Sequence, residues 1–198
     1  MPKRVFVLGA TGTIGRATVR ALLRRGHEVA CFVRARAAVD HAALLAGTSV
    51  RIGDVRDPAS LARDGFRGER FDALVSCLAS RTGAPADAWA IDHQAHVHAL
   101  AAARESGVAL FVLLSAICVQ KPLLAFQHAK PGVIRALIAA RADPVLFELS
   151  YDYVGDLSET VALMWPAPIG MPRYDAASAR SSAWCPLTAK NVTVAIIP

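Results

Sequence analysis

Three glycines, at positions 9, 12 and 15, are the residues whose spacing most directly suggests chemistry in this chain. They follow an apolar run at residues 5–8 and precede a helical pattern at residues 16–23. A strand, a glycine turn and a helix in this order form a site for a dinucleotide pyrophosphate, because the helix N-terminus offers free N–H groups to the anion. Gly9 and Gly12 let the backbone turn tightly beside the phosphates, and Gly15 lets the helix pack closely on the strand.

The spacing Gly-x-x-Gly-x-x-Gly is that of the extended short-chain dehydrogenases and reductases, and it differs from the Gly-x-Gly-x-x-Gly form of many dehydrogenases. A glycine triplet also marks ordinary turns, but the flanking strand and helix favour coenzyme binding. The predicted coenzyme contacts in this turn are Gly9, Thr11, Gly12, Thr13, Ile14 and Gly15.

Arg34 follows the second predicted strand, residues 28–33. In dinucleotide-binding folds an acidic residue at this strand end binds the ribose 2′-hydroxyl, whereas arginine accommodates a 2′-phosphate. No carboxylate stands at this strand end, so Arg34, with Arg36 nearby, predicts NADPH rather than NADH. The alternative is that Arg34 is a solvated arginine at the start of a helix.

The ends of the third and fourth predicted strands supply further coenzyme contacts. Asp54 and Val55 follow the third strand, where Asp54 would meet the adenine, although an aspartate before a helix is equally a plain N-cap. The fourth strand is predicted at residues 71–78, and a long amphipathic helix is predicted from about residue 87 to residue 106. The carboxyl end of the fourth strand should lie over the coenzyme and contribute Leu78, Ala79 and Ser80.

The fifth predicted strand ends at Ser115, and a helix follows from about residue 123 to residue 141. In ordinary short-chain reductases a serine at this strand end works with a Tyr-x-x-x-Lys motif on the helix. The tyrosine transfers a proton, while the lysine holds the ribose and lowers the tyrosine's pKa. This chain keeps the spacing but has Phe126 in place of the tyrosine, four residues before Lys130. Since a phenyl ring cannot carry a proton, the pattern disfavours ketone–alcohol chemistry.

Lys130 and Ser115 are nevertheless the predicted catalytic residues. Lys130 would hold the nicotinamide ribose and so also belongs to the coenzyme site, and Ser115 would line the reacting edge. The alternatives are an exposed helix lysine at position 130 and a turn serine at the end of the strand at position 115.

Length and composition set the class of protein. With 198 residues and 54% hydrophobic content, the alternating strands and helices predict an α/β fold, a Rossmann-type doubly wound parallel sheet over residues 1–150. The sequence contains no run of about 18 apolar residues, so no membrane-spanning helix is predicted. The first strand begins almost at once, so we expect no signal peptide. Four cysteines without a Cys-x-x-Cys pair indicate reduced cytosolic thiols.

Residues 1–130 are basic, with 17 Lys and Arg against 10 Asp and Glu. Their arginines are scattered on helices without interleaved aromatic residues, so an anionic coenzyme and an acidic substrate explain the charge better than nucleic acid. His93, His96 and His98 lie close together, but no carboxylate or cysteine completes a metal site, and none is predicted. Cys118 has no partner base at a recognisable spacing and is interpreted as a packing residue.

The segments at residues 111–130, 78–83 and 88–92 resemble one family, the divinyl (proto)chlorophyllide 8-vinyl reductases, which are atypical short-chain reductases. The likeness covers about residues 4–130. It implies NADPH-dependent reduction of a vinyl group to ethyl on a tetrapyrrole in chlorophyll or bacteriochlorophyll synthesis. A conjugated vinyl group accepts hydride at its terminal carbon and spreads the negative charge into the macrocycle. That chemistry lowers the demand for the proton donor that is missing at position 126.

The resemblance ends at Lys130, because Pro131 and Gly132 follow at once and no Arg-Pro-Thr segment occurs downstream. A sixth strand is predicted near residues 144–149, and Pro131 should interrupt the preceding helix. Residues 151–198 show neither strand nor helix periodicity and are predicted to be an irregular tail. One explanation is that residues 131–198 are read in a shifted frame or come from a divergent, truncated gene.

Two other classes of function remain open. An NmrA-like redox sensor would keep the nucleotide fold without catalysis, and an assembly factor would use the fold as a scaffold. The predicted location is the bacterial cytoplasm, with peripheral contact to the photosynthetic membrane.

Overall fold

The computed structural model describes residues 1–114, 123–139, 143–149 and 192–196. Within these residues one sheet has the strand order β3-β2-β1-β4-β5-β6-β7. The strands are β1 Arg4–Leu8, β2 Glu28–Val33, β3 Ser49–Ile52, β4 Ala73–Ser76, β5 Leu110–Leu114, β6 Asp143–Leu149 and β7 Val192–Ile196. Strands β1 to β6 are parallel, and β7 pairs antiparallel with β6.

The helices of the described residues connect these strands. They are α1 Thr13–Arg24, α2 Ala35–Asp40, α3 Pro58–Ser60, α4 Pro85–Ala88, α5 Ala95–Glu105 and α6 Ala125–Ala139. Helix α3 continues as a π-helical turn over Leu61–Phe66, and a second π-helical turn, Trp89–Gln94, joins α4 to α5. None of these helices is both long enough and apolar enough to cross a bilayer.

The strand order reverses direction beside β1. The chain runs outward from β1 to β3 and then crosses back to β4 on the other side of β1. This reversal leaves a crevice at the carboxyl ends of β1 and β4, the place where doubly wound sheets bind their ligands. The predicted Rossmann-type fold class is therefore confirmed.

Strand β1 is buried on both faces because the sheet carries helices on both sides. Phe6 and Leu8 face one apolar cluster, in which Phe6 stacks on Phe66 with ring centroids 4.4 Å apart. Val5 and Val7 face the second cluster together with residues of α1. A strand that is buried on both faces needs apolar side chains at successive positions, which explains the near-continuous apolar runs in the sequence.

Three segments depart from the sequence predictions. Helix α6 continues through Pro131, which lies inside it and does not interrupt it. The helix predicted at residues 87–106 is present as α4, the π-helical turn and α5, a wider path than a regular helix. Strand β7 lies in the stretch predicted to be irregular, while β6 occupies the predicted sixth strand. Other residues of the predicted tail lie outside the described residues.

Candidate functional site

The glycine turn begins at the carboxyl end of β1. Gly9 has φ +74°, a left-handed conformation that favours glycine, and its carbonyl accepts the N–H of Gly12 at 3.1 Å. A Cβ at Gly9 would lie 2.5 Å from the carbonyl oxygen of Cys77, just after β4. A Cβ at Gly15 would collide with the carbonyl of Gly9. These two glycines are therefore required by the close approach of the turn to β4 and of α1 to the turn.

Gly12 differs from these two glycines. Its φ of −74° suits any residue, and a Cβ there would meet one atom, the Gly9 carbonyl oxygen at 3.4 Å. Gly12 is exposed and serves as the N-cap of α1, whose first turn has no acidic residue and no side-chain cap. The N–H groups of that turn lack intrahelical acceptors. The turn therefore fits an anion, since the space beside Gly12 is open and the helix end is electropositive.

The residues between the glycines flank this open side. Thr11 and Ile14 are half-buried, and Thr13 is exposed. The Nε of Arg16 donates to the Thr11 carbonyl oxygen at 2.9 Å and so braces the turn from the first helical turn of α1.

Arg34 and Asp54 lie at the ends of neighbouring strands. Arg34 is the exposed N-cap residue of α2, directly after β2. Asp54 follows β3, and Arg56 binds its carboxylate with an Nη2–Oδ2 distance of 2.6 Å. Hydrogen bonds from Arg56 lower the pKa of Asp54, and the charge of Arg34 lowers it further. The structure thus brings the two predicted residues together and adds Arg56, which the sequence interpretation missed.

The predicted contacts after β4 form a short loop over the switch point. Leu78 and Ser80 are half-buried and Ala79 is exposed. The backbone N–H of Ser80 donates to Oδ2 of Asp92 at 3.1 Å. Val55, from the loop after β3, packs against the apolar cluster of this face. The loop after β4 is therefore anchored to the π-helical turn that precedes α5.

Lys130 lies beneath this loop with 3% of its side chain exposed. Its Nζ is 3.1 Å from Oδ1 of Asp92, and it donates to the carbonyl oxygens of Leu78 and Leu114 at 3.4 Å each. Lys130 is thus a buried cation at the carboxyl ends of β4 and β5 and not an exposed helix lysine. Burial lowers the pKa of Lys130, and the charge of Asp92 opposes that shift.

Phe126 and Ser115 complete the set of residues predicted near this edge. Phe126 lies half-buried on α6, one helical turn before Lys130. Ser115 lies outside the described residues, as does Cys118, although the carbonyl of the preceding residue, Leu114, contacts Lys130.

A buried serine–histidine pair lies next to Lys130, between the end of β4 and α5. Nε2 of His96 lies 2.8 Å from Oγ of Ser76, and Nδ1 of His96 lies 3.0 Å from the Ile91 carbonyl oxygen. Burial lowers the pKa of His96 well below its usual value, and the charge of Lys130 lowers it further. The imidazole is therefore neutral, and both of its nitrogens are engaged. His93 lies apart from this pair, with Nδ1 3.2 Å from the Ala129 carbonyl oxygen.

Asp92, His96 and Ser76 were not among the residues predicted for the site. One signal was available for Asp92, because it closes the segment at residues 88–92 that carries the family resemblance. Ser76 carried no comparable signal, since a polar residue at the end of an apolar strand is more often a turn residue, and His96 stood out only as one of three neighbouring histidines.

The fold and the glycine turn define an NAD(P)-binding protein of the Rossmann class. Residues 9–154 match the NAD(P)H-binding family, and the chain belongs to that family. Among curated proteins it is similar to the divinyl chlorophyllide a 8-vinyl-reductase of Zea mays, with 51% identity over 71% of this chain and 37% of the reductase. The corresponding reductase of Oryza sativa subsp. indica is 49% identical over 64% of this chain and 33% of its own length. The predicted resemblance is therefore confirmed, and the chain spans about one third of these relatives.

A solved structure shows the same fold at low sequence identity. The putative NAD-dependent epimerase/dehydratase from Bacillus halodurans superposes with a TM-score of 0.64 at 17% identity, over 83% of this chain and 88% of that protein.

Proposed function

We propose that this chain is an NADPH-dependent reductase that converts the 8-vinyl group of a divinyl chlorophyllide or protochlorophyllide to ethyl. The similarity to two plant 8-vinyl-reductases supports the substrate class. The observation that carries the reaction type is the pairing of a buried Lys130 with Phe126 one helical turn away. The site keeps the cation of a short-chain reductase and has replaced its proton-carrying tyrosine.

The choice of NADPH over NADH rests on Arg34. Its guanidinium is exposed at the end of β2, where the adenosine ribose lies in this class of fold. Arginine matches the geometry of a phosphate group and cannot lose its charge at neutral pH. The carboxylate of Asp54 is paired with Arg56, and this pairing weakens it as an acceptor for the ribose 2′-hydroxyl of NADH.

The residues of the chain have separate tasks in this reaction. The bound coenzyme supplies a hydride. The first turn of α1 holds its pyrophosphate beside Gly12, and Lys130 fixes the ribose at the carboxyl ends of β4 and β5. Phe126 gives the reacting edge an apolar wall and offers no proton. The substrate itself stabilises the negative charge that develops, because the vinyl group is conjugated to the macrocycle, and a proton taken up from water completes the ethyl group. Ser115 is the proposed residue at the reacting edge.

The experiment incubates the purified chain with divinyl chlorophyllide and NADPH and measures the shift of the Soret absorption band. We expect a shift with NADPH, a weaker one with NADH, and little with Lys130→Met. NADPH binding without any shift, in the full chain and with either tetrapyrrole, would contradict catalysis and favour a coenzyme-binding regulator. Absence of NADPH binding would contradict both.

A second candidate has an observation of its own. The chain is 31% identical to the photosystem II assembly factor Ycf39 of Guillardia theta over 78% of this chain and 48% of that protein. Under this proposal the nucleotide fold serves as a sensor or a scaffold in assembly, and Lys130 has no reacting partner. The vinyl reduction assay separates the two candidates.

The proposed location is the bacterial cytoplasm, beside the photosynthetic membrane. The basic charge of residues 1–130 supports attraction to an anionic lipid surface.

A further inference from the structure

Asp92 is the most deeply buried carboxylate that the described residues bring into contact with the candidate site. Its side chain is 1% exposed, in the π-helical turn between α4 and α5. Its two oxygens have different partners, since Oδ2 accepts the N–H of Ser80 at 3.1 Å and Oδ1 lies 3.1 Å from the Lys130 ammonium. One side chain therefore ties the loop after β4 to the cation on α6. A π-helical turn at this position is itself typical of functional sites.

A buried ammonium is costly unless a counter-charge and hydrogen bonds compensate it. Lys130 has two carbonyl oxygens at 3.4 Å, which supply dipoles and no charge. Among the described residues, the other titratable groups that face it are Cys77, just after β4, and His96 on α5. Burial raises the pKa of Cys77 to about 11, and burial keeps His96 neutral through a lowered pKa. Within the described residues, Asp92 is therefore the carboxylate that pairs with the buried ammonium.

We propose that Asp92 is a positioning residue for the coenzyme, which holds the Lys130 ammonium and the Ser80 backbone in one fixed arrangement at the ends of β4 and β5. The inference rests on the proposed role of Lys130 toward the coenzyme ribose. It does not depend on vinyl reduction. Ser80 and Lys130 lie 50 residues apart in the chain, and Asp92 joins them through its two carboxylate oxygens.

The isosteric change Asp92→Asn isolates the charge. The amide oxygen can still accept the Ser80 N–H, but the Lys130 ammonium loses its counter-charge. Burial then acts unopposed and moves the pKa of Lys130 further down. The sign follows directly: Lys130 keeps its proton at low pH, loses it as pH rises, and with it loses its hold on the ribose. The defect must therefore grow with pH.

The test titrates the wild type, Asp92→Asn and Asp87→Asn with NADPH between about pH 6.5 and about pH 9. Coenzyme fluorescence reports the affinity at each pH. Asp87 is the matched control, because it lies on α4 and accepts backbone N–H groups of Arg81 and Thr82 but has no lysine partner among the described residues. For Asp92→Asn we expect affinity within about threefold of the wild type at the low end and a loss of about tenfold or more at the high end. Asp87→Asn should follow the wild type throughout.

Two results would overturn the proposal. One is wild-type affinity and pH profile in Asp92→Asn, and the other is a loss of the same size at every pH, as a merely structural role predicts. If Asp92→Asn does not fold, the double variant Asp92→Asn, Lys130→Met removes both charges and should restore the unfolding midpoint without restoring coenzyme affinity. Wild-type affinity in the folded double variant would also overturn it. Asp92→Glu restores the carboxylate and should recover the wild-type pH profile of NADPH affinity. Because none of these readouts is vinyl reduction, a chain that binds NADPH but fails to reduce a vinyl group leaves this inference standing.

Discussion

The carbonyl oxygen of Cys77 lies so close to Gly9 that a Cβ at position 9 would stand 2.5 Å from it. This contact joins the end of β1 to the end of β4 at the point where the strand order reverses. The glycine therefore serves the assembly of the sheet as well as the shape of the turn. Its conformational need and its steric need can be separated by experiment.

Gly9→Ala should destabilise the protein much more than Gly26→Ala. Both glycines have positive φ, +74° and +75°, but a Cβ at Gly26 would have no atom within 4 Å. Gly26→Ala should cost about 1 kcal/mol from backbone strain alone. Gly9→Ala adds a backbone collision and should cost about 2–4 kcal/mol in the free energy of unfolding. Urea unfolding measures both, and equal losses would show that the contact with Cys77 can relax.

His96→Gln should remove part of the acid sensitivity of the fold. The pKa of His96 is depressed in the folded state, so the unfolded state binds the extra proton as pH falls below the ordinary histidine pKa of about 6.5. Stability should then fall by up to about 1.4 kcal/mol per pH unit until the folded-state pKa is reached. Above about pH 6.5 the group is neutral in both states and has no such effect.

The free energy of unfolding between about pH 7 and about pH 5 checks this expectation. His128→Gln, on the exposed face of α6, is the control and should keep the wild-type slope. If both variants keep the full slope, His96 is not the group that titrates.

Cys77 should resist alkylation in the native protein at neutral pH. Burial raises the pKa of its thiol to about 11, so at about pH 8 only about one molecule in a thousand carries the thiolate. Reaction with iodoacetamide should accelerate as pH rises and should become fast at about pH 8 only after unfolding in urea. Peptide mass mapping follows the residue individually. Cys31, whose pKa burial also raises to about 11, is the internal comparison. Rapid native labelling of Cys77 alone would argue against this burial.

Gly132→Ala and His93→Ala should be strongly coupled. A Cβ at Gly132 would lie 2.5 Å from Cε1 and 2.7 Å from Nδ1 of His93, whose ring also contacts the Ala129 carbonyl. Gly132→Ala alone should displace the imidazole and destabilise the protein, whereas in the His93→Ala background the new methyl group has room. A double-mutant cycle of unfolding free energies should give a coupling of about 1–2 kcal/mol. Simple additivity would mean that the two residues do not meet.

The same contact bears on where the family resemblance ends. Pro131 and Gly132 mark the predicted departure in the sequence, yet the family match runs on to residue 154 and Gly132 packs against a histidine that lies within the resembling part. The helix also continues through Pro131 to Ala139. Residues after Lys130 thus share in the packing around the candidate site.

The sequence alone predicted the features that depend on neighbours along the chain. Apolar runs separated by helical patterns indicated the parallel strands, and three glycines after the first run marked the phosphate turn. Lys130 and Phe126 were linked by their spacing, since residues four apart share a helix face. Strand β7 was not predicted, and its antiparallel place beside β6 is known only from the structure.

Only the tertiary structure decided how the polar residues are paired. Asp92 meets Lys130 because a π-helical turn and α6 pack together at the ends of β4 and β5. His96 meets Ser76 twenty residues away, and the burial of both decides that the imidazole is neutral. Burial and charge pairing are properties of positions brought together by folding, and the cost of an uncompensated polar group forces each pairing once the chain has closed over it.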